Sequence, residues 1–284
     1  MQVGVFMLAT ESSADSAVVA KKAEELGFAS FWAPEHPIIP VKYTSRYPGS
    51  ADGRIPAAAS RIADPFMVLA RASAVTKTIK LGTGICLVPE RSPLLLAKEI
   101  ATLDHFSGGR FIFGIGAGWL KEETEIMGGD FAHRWTQTRE AILAMKELWT
   151  KDEAEYHGKY YNFPPVRSFP KPAQKPHPPI LLGGADKNVL KRVVEWGDGW
   201  MPVIASAEEI QRGRAVLREL AEKAGRDPQS IQMLAFGQPG QFREREEIKA
   251  LEKAGVSHAI IWLTQAEGSG AVAELEELAK RVLA

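Results

Sequence analysis

The sequence predicts an α/β protein folded as a closed (β/α)₈ barrel, and three observations carry that prediction. Short β-rich runs alternate with longer segments of helical period eight times along the chain. Strand–helix units joined in series by right-handed crossovers form either an open doubly wound sheet or a closed ring. Eight pairs in 284 residues, against the usual ~250 for such barrels, favour the ring.

The elements follow in order. Residues 3–7 (Val3-Gly4-Val5-Phe6-Met7) read as the first strand, and 12–26 as a helix stopped by Gly27. Residues 28–33 form the second strand. Asp64-Pro65 supplies an N-cap and a first-turn proline for a helix running to about residue 75. Residues 79–88 are read as one continuous third strand, and Ser92-Pro93 opens the helix carrying residues 94–106. Strand four is 110–116, followed by a helix over 134–149. The remaining pairs are 180–182 with a helix over 186–196, 200–204 with 207–224, 230–236 with 243–254, and 258–263 with 271–283.

Two stretches break the rhythm. Residues 35–61 are rich in Pro, Gly, Tyr and Arg, and a structureless loop of that length in a compact domain is usually functional or disordered. Residues 152–179 are an insertion after the fourth helix. It has a hairpin-like run from Ala154 to Phe163, with His157-Gly158 as the turn, and then a Pro-rich spacer, Phe169-Pro170-Lys171-Pro172 and His177-Pro178-Pro179. No sequence repeat or low-complexity tract interrupts what reads as a single domain over 1–284.

Composition narrows the function. A 31.1 kDa chain exposes roughly 12,000 Å² folded against about 45,000 Å² extended, enough burial for a core without disulfides or metal. Thirty-five basic and thirty-five acidic residues cancel, leaving no field to attract nucleic acid or an anionic membrane. The single cysteine, Cys86, excludes an internal disulfide framework and any multi-cysteine zinc site. The start MQVGVFMLATESS lacks a basic signal n-region, and no apolar run approaches the ~20 residues needed to span a bilayer, so a cytoplasmic protein is expected.

Barrel enzymes carry their chemistry at the C-terminal ends of strands. That rule selects Pro34-Glu35-His36-Pro37 after strand two, Gly82 to Pro89 in strand three, Gly114 to Trp119 at the end of strand four, and Gly183-Gly184-Ala185-Asp186 after strand five. His36 is the general acid/base candidate because only imidazole titrates near neutrality unperturbed; Glu35 is expected to orient its ring. The alternative is a loop histidine bonded to a backbone carbonyl. Gly183-Gly184 ahead of a helix would offer backbone N–H groups to an anion, or simply make a tight turn with Asp186 as an N-cap and Lys187 beside it. Gly114, Gly116 and Gly118 sit after the wrong strand for a dinucleotide fingerprint. At a barrel mouth such glycines would let a flat ring approach the backbone, with Trp119 as a stacking face or as an anchor packed on the hairpin. Cys86 is assigned to packing. No histidines show metal-ligand spacing; His105 is read as structural, and His258 lies at the N-terminal end of the last strand, the stability face.

At Leu81 to Gly84, Pro93 to Lys98, Ala101 to Asp104 and Ser107-Gly108-Gly109-Arg110, the sequence resembles the luciferase-like monooxygenase superfamily. Phe111 to Gly118, Phe131-Ala132-His133-Arg134 and Gly197-Asp198-Gly199-Trp200 extend the match over nearly the whole chain. The 176–184 segment and the compact length are most similar to the group of probable coenzyme F420-dependent oxidoreductases. The resemblance implies a luciferase-like barrel holding F420 or FMN in its mouth. It also implies a bulge with a cis peptide at Gly84-Ile85 behind the ring, a histidine at His36 near the reacting atom, and cofactor contacts at Gly116, Ala117, Gly118, Trp119, Gly183, Gly184 and Ala185. Some members have a phosphate-binding arginine where this chain has Ala117, others a glutamate acid where it has Trp119, so neither of those devices carries over. The activity implied is hydride exchange between F420 and a small organic substrate, with Tyr43, Tyr47 and Arg54 of the 35–61 loop closing over it. FMN-dependent monooxygenation fed by a separate reductase, and non-catalytic flavin binding, are the alternatives. Relatives commonly form dimers, so a homodimer is expected.

Overall fold

The computed structural model describes residues 1–184, 188–203 and 206–283. In chain order the strands are β1 (Gln2–Phe6), β2 (Ser30–Ala33), the short pair β3 (Lys80–Thr83) and β4 (Cys86–Leu87), and β5 (Phe111–Gly116). Then come a hairpin, β6 (Ala154–His157) and β7 (Asn162–Val166), and β8 (Ile180–Gly183), β9 (Gly199–Met201), β10 (Gln232–Phe236) and β11 (His258–Trp262). Apart from the separate β6–β7 pair, every neighbouring pair is parallel. Both β3 and β4 bond β5, and β11 bonds β1, which closes a ring of eight positions. The helices are α1 (Ser16–Leu26), α2 (Pro65–Val75), α3 (Pro93–Ser107), α4 (Lys121–Ile126), α5 (Arg134–Thr150), α6 (Val189–Trp196), α7 (Ala207–Lys223), α8 (Arg245–Lys253) and α9 (Gly270–Val282).

Local chemistry explains the boundaries. Asp64 accepts from the backbone N–H groups of Phe66 and Met67 at 2.9 and 3.0 Å, with Pro65 at the first turn. Gly27 and Gly108 end α1 and α3 in the left-handed conformation. α1 starts at Ser16 rather than at 12, because Asp15 is its cap, accepting from Ala17 N–H at 2.9 Å, while Ser13 folds back on Thr10. α8 starts at Arg245 rather than 243, because Glu244 and Glu247 form the reciprocal cap. The expected continuous third strand is broken between Thr83 and Cys86, and the Gly84–Ile85 peptide there is cis. The expected cap Asp186 and the strand end at residue 204 lie outside the described residues. The α4 segment, with the sequence KEETEI, is a helix that the periodicity does not predict.

Two apolar layers form the core. Phe6, Trp32, Ile112, Leu181, Met201, Leu234, Phe236 and Ile260 fill the ring itself, and a larger cluster joins the outer strand faces to the helices. Each such fully buried large side chain is worth about 1.5–3 kcal/mol. Trp32 lies over Gly82, where a Cβ would run into the indole, so the bulk of one strand is matched by its absence on the next. The insertion's hairpin turns through Gly158, whose N–H donates to Tyr161 O at 2.9 Å. Its Pro-rich continuation is docked rather than free: Gln174 donates to the buried Asp104 carboxylate from both its backbone N–H (2.9 Å) and its amide (2.7 Å).

Candidate active site at the C-terminal mouth

The ends of β2, β4, β5 and β8 surround a cavity of about 340 Å³, within the ~300–1,000 Å³ typical of ligand pockets. Ten residues singled out from the sequence line it together: Glu35, His36, Gly84, Ile85, Gly116, Ala117, Gly118, Trp119, Gly183 and Gly184. The eleventh, Ala185, lies outside the described residues. Aromatic and aliphatic groups from Phe6, Leu8, Phe236 and Trp262 complete an apolar wall.

His36 is largely enclosed, its side chain 12% exposed. Its Nδ1 lies 2.7 Å from Oε2 of Glu123, a fully buried carboxylate at the start of α4. With that carboxylate ionised, Nδ1 carries the proton and donates it, so Nε2 is an acceptor with no protein partner among the described residues. The indole of Trp119 meets the imidazole edge-on at 5.6 Å, and Tyr47 meets Trp119 the same way at 5.4 Å. Trp119 is thus packed on the histidine and the long loop.

Glu35 is not the partner of that ring. It lines the cavity, but its carboxylate is turned to Arg91, whose Nε donates to Oε1 at 2.6 Å, and to the backbone N–H of Leu87, which donates to Oε2 at 2.6 Å. Arg91 also reaches Asp64 at 2.5 Å. Glu35 therefore ties the β2 loop to the chain after β4, and the orienting role expected of it falls to Glu123.

The glycines divide by use. A Cβ on Gly116 would collide with the Ile85 side chain, so that glycine makes room for a neighbour inside the protein while it lines the cavity. On Gly118 (φ +80°) a Cβ would lie 2.9 Å from Thr124 Oγ1 and 3.1 Å from Glu90 Oε1. Gly184 (φ +114°) has nothing among the described residues within 4 Å of its missing Cβ, and its carbonyl accepts from Trp200 Nε1 at 3.0 Å. Of the three, it is the one that faces open space.

The 35–61 loop forms one side of the mouth with Tyr47, Pro56 and Ala59. It is pinned to α4 by Glu122, which accepts from Thr44 N–H at 2.6 Å and from Ser45 Oγ at 2.7 Å; those donors hold its carboxyl down at about 2. Tyr43 and Arg54 do not line the cavity: Tyr43 is exposed, and Arg54 is 88% exposed beside Asp52. Burial pushes the Cys86 thiol up, as suits a packing residue. Sequence reasoning missed Glu122, Glu123, Trp135, Gln238 and Trp262. For the two glutamates the available signal was the acidic run just after strand four, on the same rim as His36.

The barrel is closed, with its cavity at the C-terminal rim beside a split third strand, the rim on which barrel enzymes carry their sites. The chain belongs to the luciferase-like monooxygenase family, whose model matches residues 1–282. An uncharacterized protein of Mycobacterium tuberculosis is 35% identical over 287 residues, 99% of each chain. The FMNH(2)-dependent dimethylsulfone monooxygenase of Pseudomonas putida is 35% identical over 162 residues, covering 54% of this chain and 44% of that enzyme. In fold, an F420-dependent secondary alcohol dehydrogenase solved with an F420–acetone adduct superposes with a TM-score of 0.76 over 99% of each chain, at 20% identity. Among the described residues no helix is long and apolar enough to cross a membrane.

Proposed function

We propose that this protein is an F420-dependent oxidoreductase that exchanges a hydride between the bound deazaflavin and a small organic substrate. The observation that carries the reading is His36: an imidazole fixed at Nδ1 by a buried carboxylate, with Nε2 unpartnered among the described residues, in the wall of a mostly apolar cavity at the C-terminal end of the barrel. The residues fit a flat heterocycle. Ile85 and Phe236 offer it apolar surface, and Gly184 leaves open the space a side chain would fill. When bound, F420 accepts or returns a hydride at the carbon that replaces flavin N5. His36 takes up at Nε2 the proton released as the substrate is oxidised, and returns it in the reverse direction, while Glu123 stabilises the imidazolium. Trp119 and Tyr47 hold the ring in place, and Tyr47, Pro56 and Ala59 exclude water from that side.

A second reading, an FMN-dependent monooxygenase supplied with reduced flavin by a separate reductase, is favoured by the 35% identity to an FMNH(2)-dependent enzyme over about half the chain. Titrating the protein with each cofactor and following fluorescence separates the two. Micromolar binding of F420 is expected; micromolar binding of FMN with none for F420 would overturn the first reading in favour of the second.

A further inference from the structure

Glu90 is a buried acid that neither the fold nor the chemistry above uses. It ends the short turn after β4 and is 4% exposed. Thr124 Oγ1 donates to its Oε1 at 2.9 Å, while Oε2 is buried with no hydrogen-bond partner among the described residues. An ionised carboxylate so placed is costly. Burial, then the charge of Glu123, pushes its carboxyl up to about 8.

Glu90 lines one cavity and lies next to a residue of another. Toward the inside, Glu90 Oε1 lies behind Gly118 of the cofactor cavity, and its hydroxyl donor Thr124 adjoins Glu123, which holds His36. Toward the outside, Glu90 lines a separate crevice of about 320 Å³ with Asp64, Arg91, Glu99 and Met127. The charged and titratable groups around it are Glu35 and His36 from the β2 loop, Asp64 at the head of α2, Arg91 and Glu99 beside and within α3, and Glu123 from α4. Among the described residues Arg91 is their single fixed cation, and it is engaged by Glu35, Asp64 and Glu99.

We propose that Glu90 and Glu123 act as one unit holding a single proton, so that His36 faces one negative charge rather than two, and that this proton exchanges with water in the outer crevice while the cofactor cavity is filled. This rests on His36 being the acid–base group. Glu90 gives its proton to crevice water and recovers it from there; no electron moves and no bond other than O–H changes. With Glu90 neutral, an imidazolium at His36 is balanced by the one charge on Glu123. Once Glu90 ionises, a second negative charge retains the imidazolium proton and His36 stops cycling. Glu90 is in this sense a positioning residue.

The test is Glu90→Gln, which keeps the shape and carries no charge, read by NMR titration of the His36 ring in cofactor-free protein. The expected result is an inflection near pH 8 in the unmodified protein that disappears in E90Q. In turnover, the unmodified enzyme should lose about ten-fold between pH 7 and pH 9, the protonated fraction left by one group titrating near 8, and E90Q should not. Identical His36 titrations in the two proteins would overturn the proposal. Should E90Q fail to fold, Thr124→Val removes the hydroxyl donor and should move the inflection upward; an unmoved inflection would also overturn it. Because the NMR readout needs no cofactor, failure of F420 to bind would refute the proposed reaction and leave this measurement standing.

Discussion

Two imidazoles sit at opposite rims of the same barrel. His258 begins β11 at the N-terminal rim, where its Nε2 meets Ser30 Oγ at 2.7 Å and the same hydroxyl accepts from Trp32 Nε1 at 2.6 Å. Gly4 faces this cluster, and a Cβ there would strike Ser30. The end is sealed, and burial, with the Lys80 charge second, lowers His258 to about 3. His36 follows β2 at the other rim, with a carboxylate in place of a hydroxyl and a cavity in place of a seal. Partner and surroundings, not residue type, separate a ring that stays neutral and holds strands together from one that the proposed reaction uses to move a proton.

Substitutions at the two rims should break in different ways. The largest effect belongs to His36→Ala, which should cut turnover by roughly 10²–10⁴-fold while F420 binding changes little. Unchanged turnover with a true substrate would remove His36 from the proposed proton transfer. Next comes His258→Leu, expected to leave turnover intact and to cost about 1–3 kcal/mol of stability at pH 7 through the lost hydrogen bond. Its pH signature sharpens the contrast. The folded state refuses a proton that the unfolded chain binds below the ordinary histidine value of 6.5. Stability from this group is therefore full above pH 6.5 and falls by up to about 1.4 kcal/mol per pH unit as pH drops toward 3. Thermal melts between pH 7 and 5 should slope less in H258L than in the unmodified protein; equal slopes would remove His258 from this role. The smallest effect is that of Arg54→Ala, which should change kcat/KM by less than about two-fold, since the side chain lies in solvent. A loss of ten-fold or more would return Arg54 to the substrate.

Local signals were legible where they act over a few residues. The Asp64-Pro65 start, the Gly27 stop and the eight-fold alternation all reappear in the fold. The residues at strand ends converge on one cavity because strand direction alone puts them on one rim. Glu35 shows what was not legible. Adjacent residues in extended chain point to opposite sides, so the carboxylate next to His36 in sequence turned away from it, toward Arg91. Gly116 lines the cavity as read, but the space beside its missing Cβ is taken by Ile85, which follows the break in strand three.

The sequence by itself determined the fold class, the order of the strands and the rim on which the cavity lies, because periodicity, caps and strand direction are properties of neighbouring residues. Tertiary structure alone decided which charges meet: Glu123 with His36 across 87 positions, Glu35 with Arg91 across 56, and Glu90 in the wall of one cavity and next to a residue of another. Closing the ring costs or gains nothing that a short window of sequence records, yet it sets the burial and the neighbours from which the site's protonation states follow.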